Sequence, residues 1–80
     1  MEVEILAFGI TRDIVEGNTF RISLNEGTSV ATLKELLYQT YPRMKQLRSL
    51  RVAVNNEYVD EEVVLSGKEE IALIPPVSGG

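Results

Sequence analysis

Between Ser29 and Pro42 the apolar residues recur at helical spacing, through Val30, Leu33, Leu36 or Leu37, and Thr40 or Tyr41. Ser29 is placed to cap the first turn. Pro42 has no N–H to donate and a ring that clashes with the preceding turn, so the helix must stop before it. On both sides the period drops to two. Val3, Ile5 and Ala7 alternate with Glu4, Leu6 and Phe8, and Phe20, Ile22 and Leu24 alternate with Thr19, Arg21 and Ser23. A single amphipathic helix among strands must bury its stripe on one face of one sheet, and 80 residues leave material for one such domain.

The rest of the chain fits that frame. Gly9 to Asn18 reads as a loop closing at Gly17-Asn18, which makes the first two strands a hairpin with a long connection. After Pro42, Met44 and Leu47 anchor a short helical turn. Leu50 to Val54 is a third strand that ends at Asn55-Asn56, and Tyr58-Val59 is a short edge segment. Asp60-Glu61-Glu62 is an acidic turn, followed by Val63-Val64-Leu65 and a reversal at Ser66-Gly67. Ile71 to Ile74 is apolar on both faces, as a central strand or a partner-docked strand is. The expected class is α+β, in the order β-β-α-β-β-β, with a mixed sheet crossed by one main helix. Strand parity adds one consequence. If Val3, Ile5 and Ala7 face the helix, Leu6 and Phe8 lie on the other face with Ala72 and Ile74 as an exposed apolar patch.

Composition removes most chemistry. The chain has neither His nor Cys, so Cys or His nucleophilic catalysis, disulfides and the usual zinc sites fall away. A formal net charge of −4 argues against nucleic acid or an anionic membrane as partner and favours a basic or mixed protein surface. Neither a signal-peptide pattern nor a membrane-length apolar run is visible, and a cytoplasmic location is expected. Arg43, Lys45, Arg48 and Arg51 read as a solvated basic face without an assigned role. Glu57, Asp60, Glu61 and Glu62 do not converge as a calcium loop does, so no metal site is expected. Arg12-Asp13 fits a loop anchor and a partner contact equally.

What remains is the end, Pro75-Pro76-Val77-Ser78-Gly79-Gly80. A frayed terminus is one reading, since Ser and Gly do not hold themselves in place. The other is a working carboxylate. A carboxylate becomes an electrophile once its oxygen is made a good leaving group, for instance by adenylation. Gly79 and Gly80, lacking Cβ, let the backbone enter a narrow channel, and the stiff Pro75-Pro76 strap projects the tail. The domain is therefore read as residues 1–76, with 77–80 as a flexible tail.

These blocks resemble a known family across essentially the whole chain. Leu6-Ala7-Phe8-Gly9 with Arg12-Asp13, Ser29-Val30-Ala31-Thr32-Leu33, Ala53-Val54-Asn55-Asn56-Glu57-Tyr58-Val59, and Ala72-Leu73-Ile74 running into the Pro-Pro-Val-Ser-Gly-Gly end are similar to the ubiquitin-like β-grasp sulfur carriers. Within these they look like MoaD-type small subunits of molybdopterin synthase, of the MoaD/ThiS superfamily. One departure is visible: Ser66-Gly67-Lys68-Glu69-Glu70 stands where family members often carry an Asp-Gly-Asp turn. The resemblance implies that Gly80 is adenylated by a MoeB-type, E1-like enzyme using ATP, is thiocarboxylated by a sulfur donor protein, and delivers sulfur within a MoaE-type large subunit, as part of a heterotetramer. It implies no bound cofactor, and it places the catalytic side chains in the large subunit rather than in this chain. It also implies Gly79 as the narrow access and Phe8, Tyr58, Ile74, Pro75, Pro76, Val77 and Ser78 as partner contacts. A carrier for thiamine or another sulfur pathway, a ubiquitin-like protein modifier, and an interaction domain with an inert tail are the alternatives.

Overall fold

The computed structural model describes residues 1–47 and 49–75. Five strands and two helices appear in the order β1 (Glu2–Ala7), α1 (Ile10–Val15), β2 (Thr19–Ser23), α2 (Val30–Thr40), a 3-10 turn (Pro42–Gln46), β3 (Arg51–Val54), β4 (Glu57–Tyr58) and β5 (Ile71–Ile74). The strands form one sheet in the order β2-β1-β5-β3-β4. Among the described residues only the β1–β5 pairing is parallel, with Ile5 opposite Ile71 and Ala7 opposite Leu73, so β1 and β5 are neighbours inside the sheet. The expected mixed sheet with one main crossing helix is what the chain forms.

Alternation decides which face is covered. Val3 and Ile5 of β1, Val52 and Val54 of β3, and Ile71 and Leu73 of β5 are buried in one cluster with Val30, Leu33 and Leu37 of α2, and Ala7 is buried at the end of β1. Burying each such aliphatic side chain contributes roughly 1.5 to 3 kcal/mol before the entropy of ordering is subtracted. Leu37, rather than Leu36, is the residue fully enclosed in the third turn, and Met44 closes the core from the 3-10 turn. Phe20 meets Tyr41 edge to face, with ring centroids 5.6 Å apart.

Helix α2 starts and stops as its sequence requires. The Thr32 N–H donates to Oγ of Ser29 at 3.2 Å, and the helix ends before Pro42. Two further N–H groups of its first turn find backbone acceptors: Val30 donates to the Val63 carbonyl and Ala31 to the Glu61 carbonyl, each at 2.9 Å. The acidic segment after β4 is thus a docking strap for the helix start, where free N–H groups would otherwise lack partners. Lys34 Nζ adds an ion pair to Glu61 at 2.8 Å.

One element departs from expectation. The Gly9 to Asn18 connection is not a plain loop, because residues 10–15 form α1. Six residues rich in β-branched side chains, with no side-chain cap, give little intrinsic helix signal. Tertiary packing decides it. Thr11 and Ile14, three apart, are both buried, and Glu16 at φ 60° ends the turn in the left-handed conformation.

Candidate functional site

The face of the sheet opposite α2 carries the residues of opposite parity. Leu6, Phe8, Ala53, Tyr58, Ala72 and Ile74 line a shallow groove of about 320 Å³, with Asn56 and Glu70 at its rim. The register builds it: Leu6 lies opposite Ala72, Ala72 opposite Ala53, and Ala53 opposite Tyr58, so one row of side chains crosses four strands. Small residues at the centre and large ones at the ends make the surface concave. Phe8 is 39% and Tyr58 55% exposed, unusual for rings with so much apolar area to shelter. The expected patch of Leu6, Phe8, Ala72 and Ile74 is therefore present, and it also brings together Phe8, Tyr58 and Ile74.

Local structure holds each ring in place. The Phe8 N–H donates to Thr11 Oγ1 at 2.8 Å, while the Thr11 hydroxyl and N–H both donate to the Phe8 carbonyl. Arg12 Nε donates to the Ala7 carbonyl at 3.3 Å, and its guanidinium lies 5.8 Å from the Phe8 ring centre. Of the two roles open to Arg12, the structure displays the anchor. At the other end, Asn55 and Asn56 both adopt positive φ (52° and 68°), as the two-residue hairpin turn between β3 and β4 requires. That turn presents Tyr58, whose ring carries the Arg51 guanidinium at 3.9 Å from its centre. A partly hydrated cation over a tyrosine face contributes about 0.5 to 1 kcal/mol.

Sequence reasoning missed three members of this neighbourhood. Arg51, read as part of a solvated basic face, is the cation stacked on Tyr58. Asn56 and Glu70 join the rim because β3 and the chain before β5 are tied together, the Glu70 N–H donating to Asn55 Oδ1 at 3.0 Å and the Asn55 N–H to the Glu70 carbonyl at 2.8 Å. The signal for Arg51 was available, since strand parity puts it on the same face as Ala53.

A larger groove of about 410 Å³ lies beside this one, lined by Glu2, Glu4, Arg21 and the 67–70 turn. Its charges engage one another: Arg21 pairs with Glu2 at 3.2 Å and Glu4 at 3.9 Å. Glu69 folds back on its own turn, accepting from the Ser66 N–H at 2.8 Å, the Ser66 hydroxyl at 3.0 Å and the Gly67 N–H at 3.0 Å. Partial burial acts to raise the Glu69 pKa, but the bonds from the backbone, the Ser66 hydroxyl and Gly67 outweigh it and hold the carboxyl below its ordinary value of 4.5. A depressed folded-state pKa stabilises the fold at pH values above the ordinary one, and that stabilisation is lost as pH falls through the folded value. Glu69→Gln should cost about 1 kcal/mol at neutral pH. The gap to the native chain should narrow below about pH 4.5. Denaturant titrations across that range check this, and a gap independent of pH would show that the ionised carboxylate does not hold the turn.

Among the described residues no three His, Cys, Asp or Glu side chains stand together as metal ligands, and no helix is long and apolar enough to cross a membrane. The groove offers binding surface rather than reacting groups. The chain leaves it at one end, where Ile74 lines the groove and Pro75 packs against Gly9. Pro76, Val77, Ser78, Gly79 and Gly80 lie outside the described residues, as does Arg48.

Comparison with known proteins agrees with this geometry. The ThiS family model matches residues 5–80. The molybdopterin synthase sulfur carrier subunit of Mycobacterium tuberculosis is 33% identical over 82 residues, covering 100% of this chain and 99% of that one. In fold, a protein assigned as molybdopterin converting factor subunit 1 from Pyrococcus furiosus superposes with a TM-score of 0.86 at 23% identity, over 96% of this chain and 99% of that one. A chain in the complex of subunits 1 and 2 of the Helicobacter pylori molybdopterin-converting factor gives 0.67 at 26% identity, over the full length of both. With its β-grasp sheet, its open apolar groove and a match running through the terminal glycines, the chain belongs to the ThiS family.

Proposed function

We propose that this chain is the sulfur carrier subunit of a molybdopterin synthase. One observation carries the reading: the apolar groove opens at the end of the central strand that runs into Pro75 and on to Gly80. A surface that docks and a terminus that reacts are then parts of one device. The groove, through Phe8, Tyr58 and Ile74, seats a large subunit of the MoaE type. The relationship to a chain solved as subunits 1 and 2 together supports such a partner. Pro75, Pro76, Val77, Ser78 and Gly79 extend the contact into the partner's channel, where side chains small or absent let the backbone pass.

Chemistry at the terminus proceeds in two stages. A Gly80 carboxylate oxygen attacks the α-phosphorus of ATP in an E1-like activating enzyme of the MoeB type, and pyrophosphate leaves. A sulfide-level sulfur nucleophile from a donor protein then adds to the acyl carbon and AMP departs, leaving a thiocarboxylate. The large subunit uses that sulfur to build the dithiolene of molybdopterin. Its side chains supply acid-base catalysis, which a chain without His or Cys leaves to its partner. ATP belongs to the activating enzyme, the carrier holds no cofactor, and the cytoplasm is the compartment for all three proteins.

Intact-mass spectrometry tests this. After incubation with an activating enzyme, ATP and a sulfur donor, the chain should gain the mass difference of one oxygen replaced by sulfur, localised to the C-terminal peptide. An unchanged mass, with the activating enzyme proven competent on another carrier, rejects the proposal.

A further inference from the structure

Gly9 connects β1 to α1 at φ 57° and ψ −135°, a region of backbone space essentially reserved for glycine. A Cβ built on it would stand 2.9 Å from Cγ of Pro75 and 3.8 Å from its Cδ. The hydrogen that replaces that Cβ therefore leaves a notch, and the Pro75 ring occupies it. The parallel register explains the meeting. Ala7 lies opposite Leu73, so two residues further along each chain Gly9 comes opposite Pro75.

Both sides of this contact are stiff. The Gly9 turn is closed by the Thr11 side chain on Phe8, by the Arg12 N–H on the Gly9 carbonyl at 3.1 Å, and by Arg12 Nε on the Ala7 carbonyl. Thr11 is fully buried. Pro75 has its φ fixed by its own ring. A rigid ring in a rigid notch holds Pro75 against the turn after β1, and Phe8, which lines the groove, belongs to the same turn.

We infer that Gly9 is a positioning residue for the reaction at the C-terminus. Acting through Pro75, it fixes the exit direction of the tail relative to the docking groove, so that a partner seated on the groove receives the terminal carboxyl in line with its active site. This rests on the reading of Gly80 as the reacting terminus. A glycine needed only to make the turn would act independently of Pro75, so that the two single losses would multiply in the double variant, and this separates the two roles. Pro75→Ala removes Cγ and Cδ, the atoms in the notch, and leaves the turn untouched.

The test is initial-rate adenylation, followed by pyrophosphate release, with a purified E1-like activating enzyme and four chains: native, Gly9→Ala, Pro75→Ala and the double variant. If the activating enzyme docks on the same groove, Pro75→Ala should lower kcat about 10-fold or more, with a smaller rise in KM because Leu6, Phe8 and Tyr58 still line that surface. Gly9→Ala should lower kcat at least as much. The double variant should be no slower than Gly9→Ala alone, since notch and ring act as a unit. A native kcat for Pro75→Ala, a loss confined to KM, or two losses that multiply in the double variant would each overturn the inference. Should Gly9→Ala fail to fold, Pro75→Ala decides alone, because its site follows the last strand. A native chain that accepts no adenylate rejects the carrier reading itself; a native chain that reacts no better than Pro75→Ala rejects only the notch.

Discussion

A chain with one alanine added after Gly80 is expected to fold, to bind the large subunit, and to be adenylated and sulfurated about 100-fold or more slowly than the native chain. The addition moves the reacting carboxyl by up to about 3.6 Å in an extended backbone. Among the described residues the buried core ends at Leu73, and the addition alters none of its members. Deleting Gly80 should act in the same way by withdrawing the carboxyl, and Gly79→Val by placing a branched side chain where the channel admits backbone alone. Rapid-quench adenylation and single-turnover sulfur transfer measure these losses. If the extended chain reacts at the native rate, Gly80 is not the reacting residue and the carrier assignment must be withdrawn.

Phe8→Ala should weaken binding to the large subunit by roughly 1 to 3 kcal/mol, the range of an aromatic anchor near the centre of an interface. The fold should survive the change. The bonds that close the Phe8 turn use its backbone N–H and carbonyl, which alanine keeps, and the ring is already more than a third exposed. Titration calorimetry against the large subunit, with thermal unfolding as the control for folding, separates docking from stability. Native affinity in a folded variant would remove Phe8 from the interface.

The parts of this molecule that follow from residue type and period were legible in advance. Ser29 and Pro42 bracket α2 because a hydroxyl can cap a helix and proline cannot extend one. The face of Leu6 and Phe8 follows from parity, since neither can share a face with Ile5; β5 is apolar on both faces, so the choice of Ala72 and Ile74 was an assumption until the pairing of Leu6 with Ala72 settled it. Helix α1 was not legible, because its six residues are held by burial of Thr11 and Ile14 rather than by propensity or capping. The Gly9 notch escaped for a related reason: it exists only once two strands from opposite ends of the chain lie side by side. Arg51 is exposed, as a solvated face requires, but its stacking was missed because charge was weighed without the parity that places it over Tyr58.

Placing β5 at the centre of the sheet, between β1 and β3, has a bearing on how the cell makes the protein. Its pairings join residues far apart in sequence, so they form late and only when the last segment is available. A nascent chain that stops before Ile71 has no strand to join β1 to β3, and its two halves stay apart with Ile5, Leu33 and Val52 uncovered. Folding therefore waits on translation through β5, so that every folded copy carries the strand whose end lies beside the Gly9 turn and the groove.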